Sequence, residues 1–411
     1  MQTTPLRIAF ATCEYVTEKY FYGGLAQYTH RVARALAGLG HDVHVVTLSE
    51  IDDAEFEHEG VKVHRVRGGR LLARFNRLTR HRLGVTARFL DLSFKVHGEL
   101  RRLHAREPFQ LFQFPTYSLC GLVSMLRRLG VPHVLRASSY QPTLNEAGGI
   151  KPSPDSRAVE LLEALQFRLS PHVYAPSHAL QKVLAERAGL GGVRVIRSPF
   201  YVETGELDDS VYERLLRGRK YLLFFGHFQL HKGFHTLADA LPRLLERFPD
   251  AHAALVGRDT PTPLAPSMAD YARARCGADA DRLVFVGSLP HAQLYPVIAG
   301  AHLVAMPSLV DNFPNACLES MGLGRPVVGT TGTSLDELLT EGETGFLVPP
   351  GDAGALAEAL ARAWSHPGLE RIGAAARLKA SEFAPERTIP ALLEYYGEVL
   401  RGAAPAPARA A

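Results

Sequence analysis

The sequence lacks the features that would place the protein in a membrane, in an oxidising compartment or on nucleic acid. It has no run of about 18 apolar residues, so no membrane-spanning helix is expected. Its four cysteines form no C-x-x-C pair and no Cys/His cluster at metal spacing, which favours reduced thiols in the cytosol. Residues 1–7 show no signal-peptide pattern. The net charge of +4 is too small to indicate a nucleic-acid partner. We therefore expect a cytoplasmic protein, at most peripheral at the inner face of a membrane.

Two signatures of nucleotide chemistry are also absent. No G-x-G-x-x-G follows the first apolar run, Leu6–Thr12, which disfavours a dinucleotide-dependent oxidoreductase. No D-x-D carboxylate pair follows a predicted strand, so there is no evident carboxylate site for a metal that neutralises a diphosphate. Fixed cations and helix N-termini can do the same work. We therefore expect no metal ion and no other cofactor.

The chain does contain a regular alternation of short apolar runs and helical stretches. Its 411 residues exceed what one core usually holds, so two domains are expected. The alternation predicts an α/β fold with two Rossmann-like domains and parallel sheets. The predicted boundaries are residues 1–200 for the first domain, 201–219 for a linker, 220–385 for the second domain, 386–402 for a C-terminal helix and 403–411 for a disordered tail.

One stretch is distinguished by its charge. Between Arg65 and Arg106 there are twelve basic residues and two acidic ones. The helix that ends this stretch carries an apolar stripe that predicts burial: Val85, Phe89, Leu92, Val96, Leu100 and Leu103. The preceding residues 65–82 have two interpretations. They form either a solvated basic helix or a peripheral contact with an anionic membrane, and an anionic acceptor would use the same charge.

Two segments of the second half supply groups suited to a nucleotide sugar. In the first, Gly226, His227, Lys232 and Gly233 lie in a loop between the predicted strand 221–225 and the next helix. Glycine lets the backbone approach a phosphate closely, and Lys232 would lie at the positive end of the helix. A lone Lys-Gly pair is more often a solvated surface turn, so this segment needs support from elsewhere.

The second segment follows the predicted strand 302–306. Asp311 falls in the loop, and Glu319 lies one turn into a helix that begins near Asn315. A carboxylate there can accept hydrogen bonds from two ribose hydroxyls. The N–H groups of Phe313, Asn315 and Ala316 would face phosphates. Taken alone, Glu319 is equally explained as a glutamate favoured by the helix dipole.

Together these segments resemble the family-4 glycosyltransferases of the GT-B fold, also called glycosyl transferases group 1. Asp311-x7-Glu319 is similar to the family's E-x7-E signature, and the segment 226–233 is similar to its G-R-…-K-G loop. Further collinear matches span residues 6 to about 352: Gly23-Gly24, Ala175-Pro-Ser177 and Thr344–Asp352. The resemblance implies two Rossmann-like domains with parallel sheets facing across a cleft, and a C-terminal helix crossing back to the first domain.

The resemblance also implies an activity, the transfer of a sugar from a nucleoside-diphosphate sugar to an acceptor with retention of configuration. No covalent nucleophile is generally required, because the diphosphate can take the proton of the acceptor. Lys232 would neutralise the diphosphate, Asp311 would lie near the sugar and Glu319 would hold the ribose; His227 joins Lys232 and Asp311 as a catalytic candidate. The other donor-binding candidates are Gly23, Gly24, Gly226, Phe313, Asn315, Ala316, Arg258, Val286 and Gly287.

The chain departs from the family pattern at three positions. His227 replaces a loop arginine, which exchanges a permanent cation for a group that titrates near neutrality. Gln113 stands where a histidine is usual, and Asp311 is shorter than the usual glutamate. Arg136 would substitute for the missing cation or would simply be a structural ion-pair partner. Ser138 and His178 are further cleft candidates, and a surface position at a helix start is the other interpretation of His178.

Other activities remain open at this stage. A nucleotide-sugar epimerase or a phosphorylase would share the fold, and a non-catalytic nucleotide-sugar-binding partner would explain the altered His227 and Gln113. Lys232 and Glu319 favour an enzyme. The partners expected are a UDP or GDP sugar (or an adenine one) and a glycan, lipid-linked or small-molecule acceptor.

Overall fold

The computed structural model describes residues 5–18, 23–68, 82–203 and 205–402. They form two compact units. The first unit takes the described residues of Met1–Pro142, Lys151–Pro199 and Pro385–Ala411, and the second takes those of Thr143–Ile150 and Phe200–Ala384. Each unit has its own sheet and its own apolar cores, which confirms the predicted α/β class with two Rossmann-like domains.

The first unit is built on an eight-stranded sheet in the order β3-β4-β2-β1-β5-β6-β7-β8. All its neighbouring strands pair in parallel except β3 and β4, which form an antiparallel hairpin. The chain order reverses between β1 and β5, so the loops that follow these two strands diverge and leave a crevice at the carboxyl edge. The strands are β1 (Arg7–Thr12), β2 (Asp42–Ser49), β3 (Ala54–His58), β4 (Val61–Arg67), β5 (Leu111–Pro115), β6 (His133–Arg136), β7 (Val173–Ala175) and β8 (Arg194–Val195).

Helices connect these strands, and most of them bury an apolar face. The helix Gln141–Ala147 has no buried residue, and from Thr143 onward it belongs to the second unit. The longest has the predicted stripe: Phe89, Leu92, Val96, Leu100 and Leu103 are all at most 7% exposed, whereas Val85 in its first turn is exposed. The stripe prediction is therefore confirmed except at its first residue. The helices are α1 (Gly24–Gly38), α2 (Gly84–Arg106), α3 (Leu122–Arg127), α4 (Gln141–Ala147), α5 (Pro154–Leu169) and α6 (His178–Ala188).

The second unit is built on a six-stranded sheet, parallel throughout, in the order β11-β10-β9-β12-β13-β14. Its chain order reverses between β9 and β12, which creates a second switch point. Near-continuous apolar runs build these strands because helices cover both faces of a parallel sheet. The strands are β9 (Lys220–Phe225), β10 (Ala251–Val256), β11 (Leu283–Val286), β12 (Leu303–Ala305), β13 (Val327–Thr330) and β14 (Phe346–Val348).

The helices of the second unit begin inside the segment predicted as a linker. Residues 201–219 contain a short helix, and Val211 and Leu216 are buried in the core of this unit together with Phe200. The described residues of this segment belong to the second unit and do not form a separate linker, because Val211 and Leu216 give the segment a buried face. The helices are α7 (Ser210–Leu215), α8 (Phe234–Arg247), α9 (Met268–Cys276), α10 (His291–Ala299), α11 (Asn315–Gly322), α12 (Ala353–Trp364) and α13 (Leu369–Ala380).

The C-terminal helix α14 (Pro385–Leu400) belongs to the first unit, although it follows the last helix of the second. It shares a core with α1, in which Ile389, Leu392 and Tyr396 pack with Val32 and Leu36. The predicted return of this helix to the first domain is thereby confirmed. The predicted disordered tail, 403–411, lies outside the described residues.

The basic segment is described only in part. Arg65 and Arg67 lie in β4 and not in a helix, whereas residues 69–81 lie outside the described part of the chain. The proposed membrane contact through residues 65–82 therefore stays a prediction. Within the described residues, no helix combines the length and the apolar character that crossing a bilayer requires.

Candidate active site

The switch point of the second unit brings together the two loops that carry the predicted catalytic residues. The loop after β9 and the loop after β12 are joined through the backbone, because Leu309 N–H donates to the carbonyl of His231 at 2.9 Å. Gly233 makes this approach feasible. It has a φ of +68°, and a Cβ at its position would overlap the carbonyl oxygen of Pro307. The glycine of the Lys-Gly pair is thus required by loop packing.

Lys232 and Asp311 meet directly at this point. The Lys232 ammonium donates to the Asp311 carboxylate at 2.8 Å, and the Ser308 hydroxyl donates to the same oxygen at 3.2 Å. The side chain of Asp311 is 8% exposed and that of Lys232 is 38% exposed. The carboxylate is therefore held in place, while the ammonium keeps an open side toward solvent on which a second anion can bind.

Two histidines interact electrostatically with Lys232, and Arg258 interacts in the same way with one of them, His227. Burial lowers the pKa of His231 to about 4, and the Lys232 charge acts in the same direction. Partial desolvation, together with the charges of Arg258 and Lys232, lowers the pKa of His227. His231 is consequently neutral at neutral pH, and the pKa of His227 lies below the ordinary value on which the prediction of titration near neutrality rests. Arg258 is exposed and follows β10.

Glu319 is buried one turn into α11, as the sequence predicts. Its side chain is 6% exposed, and His291 Nε2 lies 3.3 Å from Glu319 Oε1. His291 opens α10, and its Nδ1 lies 3.8 Å from a carboxylate oxygen of Glu203. An imidazole between two carboxylates holds the first of them in one orientation. Sequence reasoning missed His291, whose only signal is its place in the first turn of a helix next to the site.

The start of α11 is shaped as the sequence predicts. Pro314 is its N-cap residue and supplies no capping hydrogen bond from a side chain. The first-turn N–H groups, including those of Asn315 and Ala316, lie at the positive end of the helix dipole. Phe313 packs its ring on Phe383 at 5.7 Å between centroids, so its side chain serves the core while its backbone precedes the helix.

The predicted glycines and strand ends complete the carboxyl edge. Gly226 follows β9 with a φ of +137°, and Gly257 follows β10 with a φ of +144°. A Cβ at Gly257 would overlap the carbonyl of Gly226, so the two turns pack backbone to backbone. Val286 is buried at the end of β11, and Gly287 follows it in an exposed position. The structure thus places Gly226, Arg258, Val286 and Gly287 at successive strand ends of one sheet edge.

The first unit places Gly23 and Gly24 at the N-terminus of α1, where Glu14 is already bound. The carboxylate of Glu14 accepts from the N–H of Ala26 at 3.2 Å, and a Cβ at Gly23 would lie 2.5 Å from it. Burial raises the pKa of Glu14, and the N–H groups of Ala26 and Leu25 oppose that rise. A phosphate at this helix end would have to share it with a carboxylate, a feature that sequence reasoning missed.

Gln113 is buried in a ring of hydrogen bonds at the end of β5. Its amide nitrogen donates to the Tyr28 hydroxyl at 3.1 Å, the Tyr28 and Tyr174 hydroxyls lie 2.6 Å apart, and Tyr174 donates to the Gln113 amide oxygen at 3.0 Å. Tyr396 of α14 donates to the same oxygen. Gln113 therefore ties α1, β7 and α14 to β5, a structural role that its position in a motif did not reveal.

The remaining first-unit candidates differ in burial. Arg136 ends β6 and is 6% exposed, with one guanidinium nitrogen donating to the Ser198 hydroxyl at 3.1 Å. Ser138 is partly buried and accepts from the N–H of Tyr117 at 3.3 Å. His178 is exposed in the first turn of α6, 3.3 Å from Gln181 Oε1, which agrees with its surface interpretation.

Two family models match the chain. Residues 22–200 match the model of Glycosyltransferase Family 4, and residues 219–366 match that of Glycosyl transferases group 1. The chain belongs to glycosyltransferase family 4. This confirms the resemblance inferred from Asp311-x7-Glu319 and its collinear motifs, and it makes the protein an enzyme that transfers sugars.

Two relatives of this family-4 glycosyltransferase match it along nearly its whole length. It is 25% identical to the glycogen synthase of Mycobacterium tuberculosis over 97% of this chain and 96% of that protein. It is 28% identical to the D-inositol 3-phosphate glycosyltransferase of Kribbella flavida over 91% of this chain and 90% of that protein.

Solved structures share the architecture of this glycosyltransferase. Sucrose-phosphate synthase from Thermosynechococcus elongatus matches with a TM-score of 0.76 at 20% identity, over 97% of this chain and 100% of that one. HepE from Anabaena in complex with UDP-glucose matches with a TM-score of 0.67 at 19% identity, over 97% and 100% of the two chains. These likenesses support the GT-B fold.

The groups of potential metal ligands in this glycosyltransferase belong to a different unit from the loops that carry Lys232 and Asp311. In the described part of the chain, two groups of three have ligand atoms within 4.8 Å of one another, and both belong to the first unit. Arg34 and Arg102 already pair with their carboxylates. The groups are His30 with His58 and Glu59, and Glu55 with His64 and Glu99.

Proposed function

We propose that the enzyme transfers a sugar from a nucleoside-diphosphate sugar to an acceptor hydroxyl, with retention, and that the second unit binds the donor. The ion pair between Lys232 and Asp311 carries this proposal. It lies at the switch point between β9 and β12, where open parallel sheets bind their ligands. Beside it begins α11, whose N-cap residue is Pro314 and whose N-terminus carries the positive end of the helix dipole.

The charge of the leaving diphosphate is the main demand of this reaction. We infer that Lys232, through its exposed side, and the amides of α11 neutralise that charge as the sugar–phosphate bond breaks. Arg258 adds a further positive charge at the same edge, whereas the lowered pKa of His227 favours its neutral form, which can act as a hydrogen-bonding group. These fixed groups support a reaction that needs no metal ion, so activity should persist in EDTA.

Glu319 is the group proposed to hold the ribose. A carboxylate accepts two hydrogen bonds, and the 2′ and 3′ hydroxyls of a ribose offer two donors at matching spacing. The burial of Glu319 and its contact with His291 support this role, because a fixed acceptor selects its ligand better than a mobile one.

The transfer step can be written with these groups. The bond from the anomeric carbon to the diphosphate oxygen breaks, and a bond from the same carbon to the acceptor oxygen forms on the same face of the sugar. The proton of the acceptor hydroxyl passes to the departing diphosphate. Asp311, fixed by Lys232 and Ser308, would accept a hydrogen bond from a hydroxyl of the transferred sugar.

UDP is the donor nucleotide to test first. Structures of the same fold are described in complex with UDP and with UDP-glucose, as in HepE from Anabaena. The first unit is proposed to bind the acceptor. A location at the inner face of the cytoplasmic membrane, through residues 65–82, is part of the same proposal.

The test is the release of nucleoside diphosphate from UDP-glucose, GDP-mannose and ADP-glucose, each with a panel of sugar and sugar-phosphate acceptors. We expect acceptor-dependent release from one donor, a loss of about 100-fold or more in Lys232→Ala and Glu319→Ala, and full activity in Lys379→Ala. Lys379 is the matched control, since it is a lysine of the same unit whose ammonium pairs with Glu382 on the surface. Wild-type rates in both site variants would refute the assignment, and nucleotide binding without turnover would indicate a non-catalytic partner.

A further inference from the structure

We propose that Arg136 binds an oxyanion of the acceptor, a phosphate or a carboxylate, at the switch point of the first unit. The proposal rests on the proposed function in one respect only, that the first unit receives the acceptor. It adds the chemical class of that acceptor and the residue that recognises it.

Arg136 is a buried cation with few partners. It is 6% exposed, and its one hydrogen bond to a described residue goes from a terminal nitrogen to Ser198 Oγ at 3.1 Å. Its Nε is buried without a hydrogen-bond partner. The guanidinium carbon lies 3.7 Å from the centre of the Tyr28 ring, so one face of the cation is stacked. The Nε–H group of Arg136 is therefore available to donate a hydrogen bond to a ligand.

The charge of Arg136 is not balanced by a protein carboxylate. Among the described residues none places a carboxylate oxygen within 4.0 Å of its guanidinium. Glu14, an acidic residue in the loop after β1, accepts a hydrogen bond from the N–H of Ala26. A buried charge without a counter-ion lowers stability by several kcal/mol. An arginine kept under these conditions is explained if a ligand supplies the negative charge.

The position of Arg136 is that of a ligand site. Its side chain lines a small, partly open cavity between the ends of β1, β5 and β6 and the first turns of α1. The chain order reverses between β1 and β5, and open α/β sheets bind ligands at that place. The other lining residues are mainly apolar or already bonded: Phe10, Ala11, Leu25, Tyr28, Thr29, Gln113 and Pro115.

These surroundings define what would fit. The cavity admits a group of about one or two oxygen atoms, which is the end of a phosphate or carboxylate and not a whole sugar ring. Arginine offers parallel N–H donors that match two such oxygens, a geometry that lysine lacks. The low polarity of the walls strengthens a charged hydrogen bond made there. The acceptor would therefore place its anionic end on Arg136 and leave its hydroxyls outside.

The first experiment measures inorganic phosphate binding by the full chain without nucleotide. Phosphate is titrated at constant ionic strength and followed by calorimetry and by the broadening of its phosphorus NMR signal. We expect saturable millimolar binding by the wild type and at least tenfold weaker binding at this site in Arg136→Lys. In Arg136→Met only the phosphate binding that Lys232→Ala removes should remain. Arg106→Gln, an exposed arginine of the same unit, is the control and should bind as the wild type does.

The unfolding temperature of Arg136→Met shows whether Arg136 serves a ligand or supports the fold. Without phosphate, Arg136→Met should unfold at the same or a higher temperature than the wild type, because an uncompensated charge is removed. Phosphate should raise the unfolding temperature of the wild type but not of the variant. If Arg136→Met fails to fold, the phosphate affinities of Arg136→Lys and Ser198→Ala test the proposal instead. Unchanged affinity in both variants contradicts it. Absence of saturable binding by the wild type also contradicts it.

The second experiment identifies the source of the anion. UDP added at saturation should leave the phosphate binding that depends on Arg136 unchanged if the site serves the acceptor. Loss of that Arg136-dependent binding in the presence of UDP would assign Arg136 to the donor and overturn the proposal. With active enzyme, kcat/KM for phosphorylated over neutral acceptors should fall at least tenfold in Arg136→Lys. Because phosphate binding is read without turnover, a failed donor assignment leaves this result interpretable.

Discussion

The Lys232 ammonium lies 2.8 Å from Asp311 Oδ2, although the two residues are 79 positions apart in the chain. The parallel sheet explains the contact. β9 and β12 are neighbours, and the loops that follow them leave the same edge. Ser308 donates to the same oxygen, so the carboxylate is restrained by two partners. A lysine oriented in this way faces an incoming anion without having to be ordered first, which lowers the entropic cost of binding.

A double-mutant cycle tests this coupling. Lys232→Ala should lower kcat/KM by about 100- to 1,000-fold, because one fixed donor to the developing charge is lost. Asp311→Asn should lower it by less, and the double variant should be little worse than Lys232→Ala, since contacting residues are not additive. Strictly multiplicative losses in steady-state kinetics would show that the two residues act independently.

The contact between His291 and Glu319 predicts a defect that depends on the ribose. His291→Ala should weaken UDP binding by about tenfold, because Glu319 loses the group that orients it. Binding of 2′,3′-dideoxy-UDP should not change, since that nucleotide offers no hydroxyl to the carboxylate. Calorimetry on both nucleotides measures the difference. Gln293→Ala, on the same helix and bonded to Asp208, is the control; equal losses with both nucleotides would argue against a ribose role.

Gly233 predicts a large loss of stability from one methyl group. Gly233→Ala places a Cβ against the carbonyl oxygen of Pro307 at a φ of +68°, so both strain and overlap oppose folding. We expect a loss of about 3 kcal/mol or more in the free energy of unfolding. Gly342→Ala has a φ of +72° and open space around the added Cβ, so it should lose only about 1 kcal/mol. Similar denaturant midpoints for the two variants would contradict the packing of the two loops.

Glu163 predicts a change of stability with pH. Burial raises its pKa to about 8, so the folded protein keeps this carboxyl protonated where the unfolded chain has lost the proton. Stability from this group is present below pH 4.5 and is lost as the pH rises toward 8, at about 1.4 kcal/mol per pH unit. The free energy of unfolding of Glu163→Gln, measured with denaturant, should therefore rise relative to that of the wild type as the pH increases from 5 to 8. A constant difference over that range would show that the carboxyl is ionised in the fold.

Much of the fold could be predicted because parallel strands are buried on both sides and appear as short apolar runs. The run Tyr221–Phe225 and the strand β9 (Lys220–Phe225) differ by one residue at one end. The hairpin of β3 and β4 was missed because its strands carry alternating charges, as in Ala54–His58. Its turn at Glu59-Gly60 has positive φ at both residues, and the glycine at this turn is the sequence signal that could have revealed the hairpin.

The candidate site was predictable as a set of loops but not as a set of contacts. The sequence places Lys232 and Asp311 after strands, and only the strand order shows that those strands are neighbours. Gln113 was read from its motif position, whereas its hydrogen bonds come from three tyrosines distant in sequence, Tyr28, Tyr174 and Tyr396. The carboxylate of Glu14 at the start of α1 was missed for the same reason. Pairings between distant residues require the tertiary structure.

The proposed donor site is tested most directly by a calorimetric titration of UDP into the full chain in excess EDTA. We expect saturable binding by the wild type and by Lys379→Ala, and binding at least tenfold weaker in Lys232→Ala. Binding that vanishes in EDTA and returns with a divalent cation, or that is unchanged in Lys232→Ala, would contradict a donor site built on the loops after β9 and β12.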